Sequence, residues 1–303
     1  HALLLADVAT GNRVLPDYDY VIIDEAHHLE DATTNALSFR ITQASIERIL
    51  KELGGPNSGV LGRTLTAFEG IISPSDFASL NNLIQQITDL AFHFDILVHQ
   101  FFDSISQFLY EQREGRTTGM YAHQERILPA TRTQPAWADV EASWDESEHS
   151  LEPMVKLLGD LVQGCGELTE TLSEENQELV GGLSSLYRRL SEIHVNVNGL
   201  VFTAKSDMIY WVEISSNGKQ LSLNTAPLHV GPLMQKYLWH EKSSVIMTSA
   251  TLTAAGEFDY IRGRLFAEEA DELAVGSPFD FESATLLYIA NDIPEPNDRN
   301  GHQ

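Results

Sequence analysis

Asp24 and Glu25 stand side by side at the end of the apolar run Val21-Ile22-Ile23, with His27 and His28 just beyond. Adjacent carboxylates at the end of such a run suit hydrolysis of a nucleoside triphosphate. Asp24 would hold a magnesium ion (Mg2+) through its water shell, because this small hard cation keeps several waters and needs few carboxylates. Glu25 would orient and deprotonate the attacking water. His27 is placed to hydrogen-bond Ser249 or Thr251 and so to link nucleotide state to movement of a sheet. The same residues admit plainer readings. Val-Ile-Ile-Asp-Glu by itself also describes a buried strand that ends in a solvated pair. A metal-dependent hydrolase built on Asp24, Glu25 and His27 is a further reading. Zinc at His27 and His28 with Glu25 and Glu30 is poorer: His-Glu-x-x-His is absent, and Asp31 stands where the inverted pattern needs its last histidine. Neighbouring histidines are also expected to point apart on a strand or a helix.

The elements that must position these groups follow from periodicity. Val21–Ile23 reads as a short buried strand, delivering its carboxylates at the C-terminal edge where open α/β sheets bind ligands. Ser244-Val245-Ile246-Met247-Thr248-Ser249-Ala250-Thr251-Leu252 has the same grammar, an apolar run ending on small polar residues. The two are expected to be neighbouring strands of one sheet, separated in sequence by a large helical insertion. Ile41, Ile46, Ile49, Leu50 and Leu53 have helical spacing, stopped by Gly54-Gly55-Pro56. Ser75 with Asp76 is expected to cap a long helix whose apolar positions run from Leu80 to Leu109. Helical spacing returns from Leu151 to Leu190. After Asn198-Gly199 the period becomes two, with Ile209–Ile214 and Leu221–Leu223 flanking the hairpin signal Asn217-Gly218. Val230–His240 and Phe258–Phe266 read as helices, and Leu286–Ile289 as the start of one further strand. The fold class is therefore α/β.

Bulk composition limits the partners. A net charge of −25 over 303 residues repels nucleic acid overall, so any DNA contact needs a locally basic groove. Residues 110–137 are the candidate, with Arg113, Arg116, Arg126 and Arg132 among Tyr110, Tyr121, His123 and Trp137. Arginines on phosphates and aromatic rings under bases would bind a single strand. Glu111, Glu114 and Glu125 dilute this stretch, and an ordinary irregular connection is the competing reading. The block Asp139, Glu141, Asp145, Glu146, Glu148 and Glu152 reads as a solvated helix face. A single cysteine, Cys165, excludes intrachain disulfides and any cysteine-only metal cluster, which suits a cytoplasmic location. No apolar run is long enough to span a bilayer. The chain starts at His1 within an apolar run, without methionine, and reads as a piece of something longer.

At this point the motifs resemble a known family. Asp24-Glu25-Ala26-His27 is a DEAH box, and Thr248-Ser249-Ala250-Thr251-Leu252 is similar to motif III of the DinG/XPD (Rad3-like) DNA helicases. His1-Ala2-Leu3-Leu4-Leu5, the hairpin leading into Ala226-Pro227-Leu228, and Gly276-Ser277-Pro278-Phe279-Asp280 also resemble bacterial DinG-type sequences. The likeness covers both ends well and the middle poorly. It implies part of a RecA-like parallel sheet, the first motor domain, interrupted by a helical Arch-like insertion. On that pattern 1–31 carries the DEAH box, 32–199 is the insertion, 200–275 resumes the motor with motif III, and 276–303 leads to a second motor domain. It also implies an ATP-dependent enzyme that uses Mg2+ and moves 5′ to 3′ on single-stranded DNA in repair or replication. The sequence departs from the pattern in one important respect. No Gly-x-x-x-x-Gly-Lys-Ser/Thr loop occurs, and Gly218-Lys219 is followed by Gln220. The family's 4Fe-4S cysteines would precede His1, and its arginine finger and second motor domain would follow Gln303. The segment is therefore expected to supply half an ATP site and to be inactive alone. The alternative is a non-catalytic interaction or regulatory module that kept the strand edges and lost the motor.

Overall fold

The computed structural model describes residues 1–9, 14–113, 123–167, 174–215 and 220–289. The two apolar runs pair as expected. Strand β1 (Tyr20–Ile23) lies parallel to β6 (Ser244–Met247), with Tyr20 opposite Ser244 and Ile23 opposite Met247. The expectation of a buried strand needs correcting: Ile23 is buried, but Tyr20 and Ile22 are 74% and 71% exposed. The cause is that side chains alternate across a strand and only one face of this two-stranded sheet is covered. The covering elements are α1 (Ala2–Ala9), α2 (Leu29–Leu37), α9 (Gly231–Met234) running into a π-turn at Gln235–Trp239, and α10 (Asp259–Leu265). Leu4, Ile23, Ala26, Leu29, Met234 and Leu265 belong to the core they share.

A second and larger core lies in the helical body. It opens with a short strand that the sequence reading missed: Phe39–Thr42 is β2, so Ile41 belongs to a strand and not to the helix behind it. Helix α3 (Gln43–Leu53) begins one residue later, where Thr42 Oγ1 accepts from Ser45 N at 3.2 Å. It ends at Gly54, whose φ of 74° suits glycine best. After α4 (Gly59–Phe68) comes α5 (Pro74–Gln112), one helix of 39 residues. Its cap is Ser73, not Ser75. Ser73 Oγ accepts from Asp76 N at 3.2 Å, and Pro74 occupies the first turn, where a missing N–H costs nothing. Helix α5 packs along α7 (Ala138–Glu167), which packs on α8 (Glu174–Val201). Phe94, Phe101 and Trp144 fill the centre, with Trp144 and Phe101 ring centroids 4.8 Å apart. Asp139, Asp145, Glu146 and Glu152 of α7 are exposed, as expected of a solvated face, but Glu141 is half-buried and Glu148 is turned toward α8, 2.7 Å from His194 Nε2 and accepting from Asn198 Nδ2.

The hairpin assigned above to residues 200–275 belongs with this body. β4 (Met208–Ile214) and β5 (Leu221–Pro227) form the middle of an antiparallel sheet ordered β2-β5-β4-β3, where β3 is His123–Arg126. A short helix α6 (Pro129–Arg132) follows β3. Both edges of the hairpin therefore pair with strands from the insertion, and Tyr210, Val212, Ile214 and Leu223 are part of its core. The hairpin, as far as Pro227, thus pairs and packs with the helical body. Leu286–Ile289 forms no strand; it follows the short helix α11 (Phe281–Ala284) and has no pairing partner among the described residues. Asn217-Gly218 lies outside the described residues. No helix among the described residues is long and apolar enough to cross a membrane.

Candidate nucleotide site

Parallel pairing continues for one residue past the strands. Thr248 N donates to Ile23 O at 2.8 Å and Ala26 N donates to Thr248 O at 2.9 Å. That ladder lays Asp24-Glu25 beside Thr248-Ser249 at the C-terminal edge of the pair. Thr248 Oγ1 donates to Asp24 Oδ1 at 2.6 Å, and Glu25 N donates to the same oxygen at 3.0 Å. The Thr248 bond first, then the Glu25 amide, hold the Asp24 carboxyl below the usual carboxylate range. Asp24 is exposed and Oδ2 has no hydrogen-bond partner among the described residues. An ionised, exposed carboxylate with one oxygen left over fits a hydrated Mg2+.

Glu25 sits at φ 49°, ψ 44°, a left-handed conformation that an L-glutamate adopts at a cost on the order of 1 kcal/mol. The turn brings its carboxylate back toward the second strand. Ser249 Oγ donates to Glu25 Oε2 at 3.2 Å, and His27 Nδ1 lies 2.7 Å from Ser249 Oγ and 3.3 Å from Glu25 Oε2. A serine hydroxyl has one proton. With that proton given to Glu25, His27 must donate from Nδ1, so the arrangement selects the Nδ1–H tautomer or the imidazolium. Of the two contacts expected for His27, the structure makes the one to Ser249. Thr251 supports that hydroxyl from the other side, its N lying 3.3 Å from Ser249 Oγ.

Two further features were not legible in the sequence. His27 and His28 do not point apart: a 3-10 turn at Ala26–His28 brings their ring centroids to 3.8 Å, tilted by 46°. Arg264 donates from Nε to Glu30 Oε1 at 2.7 Å, and from Nη2 to the same oxygen, tying α10 to α2 behind the site. No local signal announces a pair 234 residues apart. Among the described residues no three His, Cys, Asp or Glu side chains converge as metal ligands. A cavity of about 650 Å³ lies between α1, α2, α8 and the π-turn, and it is lined by none of the residues Asp24–His27 or Thr248–Leu252.

Among the described residues, the basic stretch is not gathered into one groove. Trp137 is fully buried and its indole donates to Val201 O at 3.2 Å, so it cannot stack on a base. Arg132 donates to Leu200 O at 3.0 Å and Gly199 O at 3.2 Å, closing the end of α8, with its guanidinium 5.5 Å from the Tyr210 ring centre. Arg113 donates to Leu109 O at 2.9 Å at the end of α5. Arg126 is exposed on β3. Arg116 and Tyr121 lie outside the described residues.

No family profile matches the chain. Individual relatives do. The chain is 24% identical over 308 residues to the "3'-5' exonuclease DinG" of Bacillus subtilis, covering 98% of this chain and 32% of that protein. It is 24% identical over 306 residues to the "ATP-dependent DNA helicase DinG" of Photobacterium profundum, covering 95% and 40%. By sequence, this chain is similar to a segment of DinG-type proteins along nearly its whole length. The "ATP-dependent DNA helicase YoaA" of Haemophilus influenzae is 27% identical over 307 residues, covering 99% of this chain and 39% of that helicase. These alignments run through the middle, where the motif resemblance was poor. The chain spans only 32%, 40% and 39% of the length of these three DinG-type relatives.

Proposed function

We propose that this DinG-type chain supplies the DEAH-box and motif III half of the ATP site of a DNA helicase. The observation that carries the reading is the parallel pairing of β1 with β6, which sets Asp24 and Glu25 against Thr248 and Ser249. In this reading Asp24, kept ionised by Thr248, holds the hydrated Mg2+ of Mg-ATP. The ion, when bound, neutralises charge on the transferring phosphate. Glu25 orients and deprotonates the attacking water, and Ser249 with His27 fixes its carboxylate in place. His27, Ser249 and Thr251 join the two strands, so a change at the nucleotide is felt by both. Residues 39–227 would be the Arch-like insertion, with the motor domain on either side of it.

The motor reading carries 5′ to 3′ movement along single-stranded DNA, a role in repair or replication, and a cytoplasmic location. Any 4Fe-4S cluster would be held outside this chain. Cys165 is buried, and burial pushes its thiol up to about 11, away from the thiolate that iron needs. The second reading, an interaction or regulatory module without a motor, gains support only if the full-length protein also lacks the phosphate-binding Gly-Lys-Ser/Thr loop that residues 1–303 do not contain. ATP hydrolysis measured with and without oligo-dT separates them. The helicase reading expects DNA-stimulated hydrolysis by the full-length protein and none by this chain alone. No hydrolysis by the full-length protein would favour the module; robust hydrolysis by this chain would contradict the half-site.

A further inference from the structure

The antiparallel sheet places a cationic and aromatic row across its outer face. In register, Arg40 of β2 is opposite Asn224 of β5, Asn224 is opposite Trp211 of β4, and Trp211 is opposite Arg126 of β3. Paired residues share a face, and successive residues alternate between faces. Tyr210 and Val212 point into the core, so Trp211 and its row point the other way; within the row Trp211 is half-buried, Asn224 is only 2% exposed, and Arg40 and Arg126 are exposed. Thr225, which donates to Asn196 of α8 at 2.9 Å, marks the inner face. The row spans three strand spacings, about 14 Å.

Trp211 differs from the other three tryptophans. The indole N–H groups of Trp137, Trp144 and Trp239 donate to Val201 O, Asn198 Oδ1 and Leu265 O. That of Trp211 has no acceptor among the described residues, although an indole N–H removed from water normally finds one. None of the described residues anchors this ring by its polar end. Its flanking arginines are exposed: Arg126 has no ion pair among the described residues, and Arg40 makes a solvent-facing contact with Glu213 at 3.3 Å, of a kind that exchanges readily. Gln124 also donates to Glu213, at 3.0 Å, so the one acid on this face among the described strand residues is already held. Two arginines against one glutamate make the face cationic in a chain of net charge −25.

We propose that this row, Arg40, Trp211 and Arg126, is a binding platform for single-stranded DNA, with the arginines on phosphates and Trp211 under a base. The charge argument selects the occupant: a polyanion is repelled by nearly all of this surface and attracted here. An in-line cation–aromatic–cation arrangement suits a strand whose phosphates and bases alternate. The proposal deepens the helicase reading and rests on it for the choice of DNA.

The test is titration of the 303-residue chain with oligo-dT, followed by tryptophan emission and by anisotropy of a labelled strand. Binding is expected to quench emission, and Trp211→Phe to remove most of the quench. Trp211→Ala is expected to weaken binding about tenfold. Arg40→Gln with Arg126→Gln is expected to lower the log–log salt slope by about 1.4. Both arginines are exposed, and circular dichroism checks that the fold is kept. Unchanged affinity and slope in the double variant, or an unchanged quench in Trp211→Phe, overturns the platform. If the full-length protein shows DNA-stimulated hydrolysis while these variants bind like the parent, the platform alone is wrong. If the row binds DNA and the full-length protein hydrolyses no ATP, the helicase reading is wrong and the platform stands.

Discussion

The antiparallel sheet has its inner face sealed, with Tyr210, Val212 and Leu223 only 4%, 1% and 1% exposed, whereas the parallel pair leaves Tyr20, Ile22 and Ile246 74%, 71% and 52% exposed. The first belongs to a body whose long helices bury aromatic side chains on several sides. The second has helices over one face only, although parallel sheets are normally covered on both. What differs is self-sufficiency. The helical body closes its own core, and the parallel pair holds the proposed nucleotide site with one face of its two strands exposed.

That contrast can be broken by substitution. Trp144→Ala removes the fully buried ring between Phe94 and Phe101 and should cost the helical body about 3–5 kcal/mol in denaturant unfolding. A loss below about 1 kcal/mol would mean that the body is not held by this core. A smaller effect is expected at the parallel pair. Thr248→Val removes the main bond that depresses the Asp24 carboxyl, so its titration midpoint should rise toward 3.8. Because the folded value is lowered, the Asp24 contribution is complete above about pH 4 and is lost as pH falls through the folded midpoint. Carboxyl NMR checks both statements, and an unshifted midpoint in Thr248→Val would remove the hydrogen bond from the account. Smallest of all is Ile22→Lys. On an exposed face it should change the stability of this chain by no more than about 0.5 kcal/mol, measured by thermal unfolding. A larger loss would show that the face is covered.

How much of this was legible depended on the length of each signal. The pairing of Val21–Ile23 with Val245–Met247 could be read because both runs end in distinctive polar residues, even across more than two hundred intervening positions. The 39-residue α5 was equally plain, since its apolar positions repeat over many turns. Four-residue strands are another matter. Phe39–Thr42 is too short to establish a period, so Ile41 was absorbed into the helix that follows. Missing that strand hid the partner of the hairpin. Within the site, Asp24, Glu25, His27 and Ser249 were legible as types, but the left-handed turn at Glu25 and the 3-10 turn that joins the histidine rings depend on backbone angles that no residue pattern announced. Trp137 was misread for a related reason. Its composition context was that of a loop, while its indole is consumed by the last turn of a helix 64 residues away.

The most direct test of the central claim is steady-state ATP hydrolysis by the full-length protein carrying Glu25→Gln, with oligo-dT present. If Glu25 activates the water, the rate should fall about 10²- to 10⁴-fold, with Mg-ATP binding retained through Asp24. Hydrolysis at the unsubstituted rate would contradict the assignment of this strand edge as the catalytic half of the site.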